Sequence, residues 1–194
     1  MIVTIDQQGE QYIESTYQSL SDWWNMATVS INQQQRLIYW VKIDDAILYD
    51  GYEQYMVNQY NSISTIDVKT FSRLESIQQT ANELDLYLDR FIPSSLKISQ
   101  YFFGDLTEVE WSQFADFIQG LHWITQALEF QMELFNQENM VKPEYLSITD
   151  KLKLILPEME NGLQIQDYVV VGDIIQYEII PALQSFRLRY TNQG

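Results

Sequence analysis

The stretch RLIYWVKIDDAILYDGYEQYM, Arg36 to Met56, decides how the N-terminal third of this 194-residue chain folds. Its first eight residues are β-branched, aromatic or long, without the polar spacing of a surface helix, and they read as a strand. AILY, Ala46 to Tyr49, is a second apolar run behind the turn-forming pair Asp44-Asp45. Two such runs across two residues predict a β-hairpin, although the usual second turn residue is Gly. Asp44, Asp45, Asp50 and Glu53 cluster around Gly51, as they would in a cation loop. A calcium loop, however, needs oxygen ligands at alternate positions before its Gly, and here those positions are Ala46 and Leu48. The acids therefore read as a turn followed by a capping box, Asp50 with Glu53, that opens a short helix from about Gly51 to Tyr60.

Upstream, IVTI at residues 2–5 reads as a strand. Ile13, Tyr17, Leu20, Trp24, Ala27 and Ile31 recur at alternating spacings of four and three, which predicts a helix from about Glu10 to Asn32. Downstream, Ile66 and Val68 stand at strand spacing. Strand, helix, strand, strand, helix, strand predicts a small ferredoxin-like α+β module over residues 1–70, its helices on one face of an antiparallel sheet.

Beyond it the period becomes helical. Leu74, Ile77, Ala81, Leu84, Leu88 and Phe91 keep a helical rhythm that Pro93 should break, and a short helix follows from Leu96 to Phe103. Thr107 and Glu110 form a capping box ahead of a long stripe from Trp111 to Phe135. Residues 136–146 read as a loop. Ile148 to Met159 mark a helix ending at Asn161-Gly162, and Asp167 caps a last helix that Pro181 should kink. Residues 71–194 are thus expected to form a bundle of about four main helices.

Composition narrows the function. Twenty-seven acidic and 11 basic residues give a formal charge of −16. It is spread along the chain, with 9 acids and 3 bases in residues 1–70. Such a surface repels phosphate backbones and anionic lipid, so no nucleic-acid or membrane partner is expected. The interspersed Lys and Arg also argue against a nucleic-acid mimic. Cysteine is absent, which excludes disulfides, thiolate nucleophiles and Cys-ligated metals and suits a cytoplasmic protein. The N-terminus has neither the basic start nor the long apolar run of a secretion signal, and no run of 18 apolar residues occurs.

Two segments, VKIDDAILYDGYEQYMVNQYNSISTIDVKT (Val41 to Thr70) and DIIQYEIIPAL (Asp173 to Leu183), resemble parts of a family of uncharacterised proteins from Gram-positive bacteria. The resemblance implies a bacterial origin and carries over no functional residue.

Candidate chemistry is sparse. His122 is the single histidine, on a helical face with Gln126 and Glu129, where it would act as a proton shuttle or simply bond a neighbour at a packed boundary. Asp173 and Glu178 lie on an otherwise apolar helix, where each needs a partner such as Tyr177, Arg187 or Arg189, or else serves as a buried acid. There is no phosphate-binding Gly loop, nucleophile elbow or Glu-x-x-His pair. No catalytic, cofactor or metal residue is therefore assigned. An enzyme using the bundle carboxylates and His122 stands as the alternative to a non-enzymatic interaction protein.

The interaction reading comes from period two in the strand that opens the chain's central stretch. Leu37, Tyr39, Val41 and Ile43 are expected on one face and Ile38 and Trp40 on the other. A ferredoxin-like sheet covers one face with its own helices, so a strand apolar on both faces requires a second cover. That cover is the chain's own bundle, a second copy in a homodimer, or a different protein. Ile38 and Trp40, with Trp23 at the edge of the first helix's apolar stripe, are the expected partner-binding residues.

Overall fold

The protein is described here by a computed structural model covering residues 1–191, with side chains through Leu188. It contains two compact units that divide after Gln78, not after Thr70, because the helix that begins at Arg73 starts in the first unit.

The first unit is α+β, as expected. Its elements are β1 (Ile2–Ile5), β2 (Gln8–Tyr12), α1 (Tyr17–Gln33), β3 (Arg36–Ile43), β4 (Ala46–Leu48), α2 (Tyr52–Gln59) and β5 (Thr65–Ser72). They form one sheet in the order β2-β1-β5-β3-β4. β1 and β5 are parallel and the other pairs antiparallel. A ferredoxin-like sheet places its first strand centrally, whereas here β5 holds the centre between β1 and β3. The extra strand β2 explains the change: it folds back on one edge of β1 and leaves that strand a single further neighbour.

β2 escapes sequence reading because QGEQY has no apolar alternation and every residue of it is exposed. Its turn is built by Asp6 and Gln7 at φ 52° and 57°, the left-handed pair of a tight hairpin. Since β2 occupies residues 8–12, α1 begins only at Tyr17, where the Thr16 hydroxyl accepts the Ser19 N–H at 3.2 Å. The Asp44-Asp45 hairpin forms as expected, with Ile43 opposite Ala46 and Asp44 at φ 50°. Asp44 also accepts the backbone N–H groups of Ser64 (3.0 Å) and Thr65 (2.8 Å), tying the hairpin to the start of β5.

The core lies on one face of the sheet. Val3, Val41, Ile43, Ile66 and Val68 pack against Leu20, Trp23, Trp24, Ala27 and Ile31 of α1 and Met56 of α2. At one end of the sheet Asp6 joins three strands. Its carboxylate accepts the Thr70 N–H (2.9 Å) and hydroxyl (2.6 Å) and pairs with Lys69 (3.3 Å) and Arg36 (3.4 Å). Burial alone would push the Asp6 carboxyl up, but the Thr70 and Lys69 contacts outweigh it and hold the group below its usual value.

The second unit takes in most of α3 (Arg73–Tyr101), then α4 (Glu108–Gln137), α5 (Pro143–Gln164), α6 (Tyr168–Asp173), a π-helical segment (Ile174–Ile179) and α7 (Ile180–Thr191). α4 opens with the expected Thr107–Glu110 capping box. The expected break at Pro93 is absent. Proline removes one N–H from the helix, yet the hydroxyls of Ser94 and Ser95 both donate to the Phe91 carbonyl (2.9 and 2.7 Å), and buried Leu88, Phe91, Ile92, Ile98 and Phe102 hold the helix on its course. Aromatic rings join the helices: Phe91 stacks on Phe117 (5.3 Å), Phe102 meets Phe114 edge-on (4.9 Å), and Tyr145 lies between Phe135 (4.9 Å) and Phe186 (5.0 Å).

Pro181 leaves its mark upstream. Proline has no N–H to return to the carbonyl four residues back, and the turn before it widens to π winding, with the Ile180 N–H donating to the Ile175 carbonyl. α6 approaches α3 closely at Gly172, where an added Cβ would lie 2.9 Å from the Ser99 carbonyl oxygen and 3.0 Å from Phe102 Cβ.

Two outcomes test these contacts. A depressed carboxyl stabilises the fold above its unfolded titration range, and that contribution is lost as pH falls through the range. Hydrogen exchange of β5 should therefore separate the unmodified protein from Asp6→Asn at neutral pH, with the gap narrowing between about pH 5 and pH 3. Gly172→Ala should destabilise the helical unit by about 1–3 kcal/mol in urea unfolding followed by circular dichroism, because the obstructing atom is backbone.

Candidate interaction site

The face of the sheet opposite α1 and α2 is shaped by one irregularity. Ile38 pairs with Thr70, but Trp40 pairs with Lys69 and Val41 with Val68, so β3 carries an extra residue at Tyr39. Such a bulge sets two residues of one strand against one of its partner and reverses the alternation beyond it. Leu37, Tyr39 and Trp40 consequently share the outer face with Phe71, and Lys42 follows with its hairpin partner Ile47. Tyr39 is central: its ring lies 4.8 Å from Phe71 and 5.7 Å, edge-on, from Tyr49. The Lys69 ammonium sits 5.2 Å from the Phe71 ring centre. Leu37, Tyr39, Trp40 and Phe71 are half-buried, while Ile47 and Tyr49 are 50% and 64% exposed.

Two of the three residues expected on this surface lie elsewhere in the structure. Ile38 lies before the bulge, on the same side as Val41 and Ile43, and packs against the module's own core. Trp23 is 4% exposed and part of that core. Adjacent Trp23 and Trp24 are both buried, their rings 6.0 Å apart, because the apolar stripe of α1 is wide enough to take in consecutive positions facing the sheet and α2. Trp40 alone stays on the outer face. The residues that join it, Tyr39, Phe71, Tyr49 and Ile47, are aromatic or β-branched in the sequence, but no Gly or Pro announces the bulge that groups them.

Glu53 also departs from expectation. The cap of α2 is Gly51 at φ 62°, with no side-chain bond, and the Glu53 carboxylate instead accepts the Trp24 indole N–H at 3.0 Å. It acts across elements, pinning α2 to α1. Tyr52, in edge-on contact with Trp24 at 5.6 Å, has its phenol pushed up by burial and then by the Glu53 charge.

Among the candidate chemical residues of the second unit, Asp173 and Glu178 line one groove together with Glu158 and Asp167. His122 and Glu129 are exposed on α4 and are not among its lining residues. Arg187 is engaged elsewhere, bonding Asp85 and Asp89 at 2.8 Å each, and the Arg189 side chain lies outside the described residues. Among the described residues no group of three His, Asp or Glu is placed to hold a metal ion, and no helix is long and apolar enough to cross a membrane.

The different placements of two tryptophans are measurable. Trp23→Ala should destabilise the first unit by about 3–5 kcal/mol, as loss of a fully buried aromatic does, and Trp40→Ala by about 1 kcal/mol. Urea unfolding of the two variants compares them directly.

No curated protein and no solved structure matches the chain. The family model described as Domain of unknown function (DUF8042) matches residues 79–189. It begins at the first residue of the second compact unit and extends into α7. With more than half of its residues matched, the chain belongs to the DUF8042 family.

Proposed function

We propose that this is a non-enzymatic, cytoplasmic protein of adaptor, chaperone-like or regulatory type that works by binding another protein through the outer face of its N-terminal sheet. The observation that carries the proposal is the bulge at Tyr39, which gathers Tyr39, Trp40 and Phe71 on one face beside exposed Ile47 and Tyr49. Aromatic side chains with two rotatable bonds give large contact areas at low entropic cost, and they dominate the energetics of binding surfaces.

A heterologous partner suits the face better than a second copy. Two copies would each bring a charge of −16, and the mutual repulsion of two such acidic chains opposes their pairing. The fitting partner is an apolar protein surface able to cover Tyr39, Trp40 and Phe71. The enzyme reading draws on the convergence of Asp173 and Glu178 in one groove, but the single histidine is not part of it.

The test is affinity capture from the native host with the unmodified chain and with a Tyr39→Ser/Trp40→Ser variant, followed by titration with the purified partner. A partner held at least tenfold more weakly by the variant is expected, as for loss of interface hot spots. Recovery of the same proteins by both baits, or of none above background, would end the proposal, and sedimentation showing dimers of the unmodified chain alone would reassign the face to a second copy.

A further inference from the structure

The helical unit carries a second surface, different in character from the sheet face. α5, α6 and the π-helical segment enclose an open groove of about 710 Å³. Its walls are apolar, with Ile165, Val170, Ile174 and Tyr177 among the lining residues. Three of these are well exposed: Ile165 and Tyr177 at 64% and Val170 at 41%. Glu158, Asp167, Asp173 and Glu178 line it too, and no Lys or Arg does.

Residues 154–186 contain five carboxylates and no Lys, Arg or His, so the stretch that forms the groove supplies no basic group to offset its acidic rim. The π segment then converges two of the carboxylates. In an α-helix, at about 100° per residue, positions five apart such as 173 and 178 diverge by ~140° around the axis. Wider winding, with bonds reaching five residues back, returns them to nearly the same side. The same winding buries Ile174, Ile175, Ile179 and Ile180 together, so the core fixes the direction of the rim.

We infer that this groove binds a cationic amphipathic helix, its apolar stripe laid on Ile165, Val170 and Tyr177 and its Lys or Arg residues meeting Asp173, Glu178 and Glu158. Helices dock in open apolar grooves through side chains at spacings of three and four, and the sign of the rim selects basic partners over acidic ones. A small ligand needs a deeper enclosure than this open groove offers.

The experiment uses the full chain and a fluorescein-labelled 14-residue Leu/Lys amphipathic peptide, read by anisotropy. Saturable binding is expected, weakening about three- to tenfold in Asp173→Asn/Glu178→Gln and weakening also in Ile165→Ser, where no charge changes. Glu129→Gln/Asp150→Asn, which removes equal charge outside the groove, should bind as the unmodified protein does. Equal weakening by the two double variants would show charge attraction without a site and overturn the inference, as would the absence of binding. Displacement of the peptide by spermidine with unchanged response to Ile165→Ser would make the groove a polyamine site, and sedimentation showing self-association lost in Asp173→Asn/Glu178→Gln would give it to a second copy. Either outcome overturns the helix assignment.

Discussion

One residue too many in β3 governs the N-terminal unit. A strand of eight residues with a strict period of two has to place its apolar side chains in one phase along its whole length. With Tyr39 unpaired, the strand changes phase partway. Ile38 before the irregularity and Val41 and Ile43 after it then serve the same core, and Leu37, Tyr39 and Trp40 are turned outward. Both consequences follow from a single backbone event. The Asp6 cluster stands next to it: Arg36 donates to the Thr70 hydroxyl at 2.6 Å and to the Thr70 carbonyl at 2.9 Å, and so holds β3 on β5 on the N-terminal side of the phase change.

In the helical unit, proline has a comparable influence with the opposite effect on regularity. Pro93 sits in a helix that continues through it, held by buried apolar neighbours and by serine hydroxyls on the local carbonyls. Pro181 is preceded by a full turn of altered winding. Packing accounts for the straight passage at Pro93. At Pro181 the wider turn lets four isoleucines share one buried side, so irregular backbone and regular core are compatible.

Much of this architecture is legible from residue order alone. The hairpin at Asp44-Asp45, the capping box at Thr107 and Glu110, the Asp167 cap and the long apolar stripe of α4 are local features, set by residues within a few positions of one another, and they form where the pattern places them. What escapes is decided across distance. β2 has no hydrophobic signal because it is an exposed outer strand, and it displaces the expected sheet order by occupying one side of β1. Glu53 has the spacing of a cap, yet Trp24, 29 positions away, claims it. The candidate surface was legible as a need for a second layer over β3, but its membership was not, since a bulge without Gly leaves no trace in composition.

The outermost strands carry a last implication. β2 is polar, glycine-containing and wholly exposed, and β4 is only three residues long. Open strand margins are the usual template for uncontrolled chain-to-chain growth, and shortness, polarity and twist are the usual protections. A sheet whose margins are so poorly suited to recruiting further strands can display aromatic rings on its broad side without inviting fibril-like stacking. Recognition is thereby confined to side-chain complementarity on that broad side, where it is selective, instead of backbone pairing at the rim, which accepts almost any extended peptide.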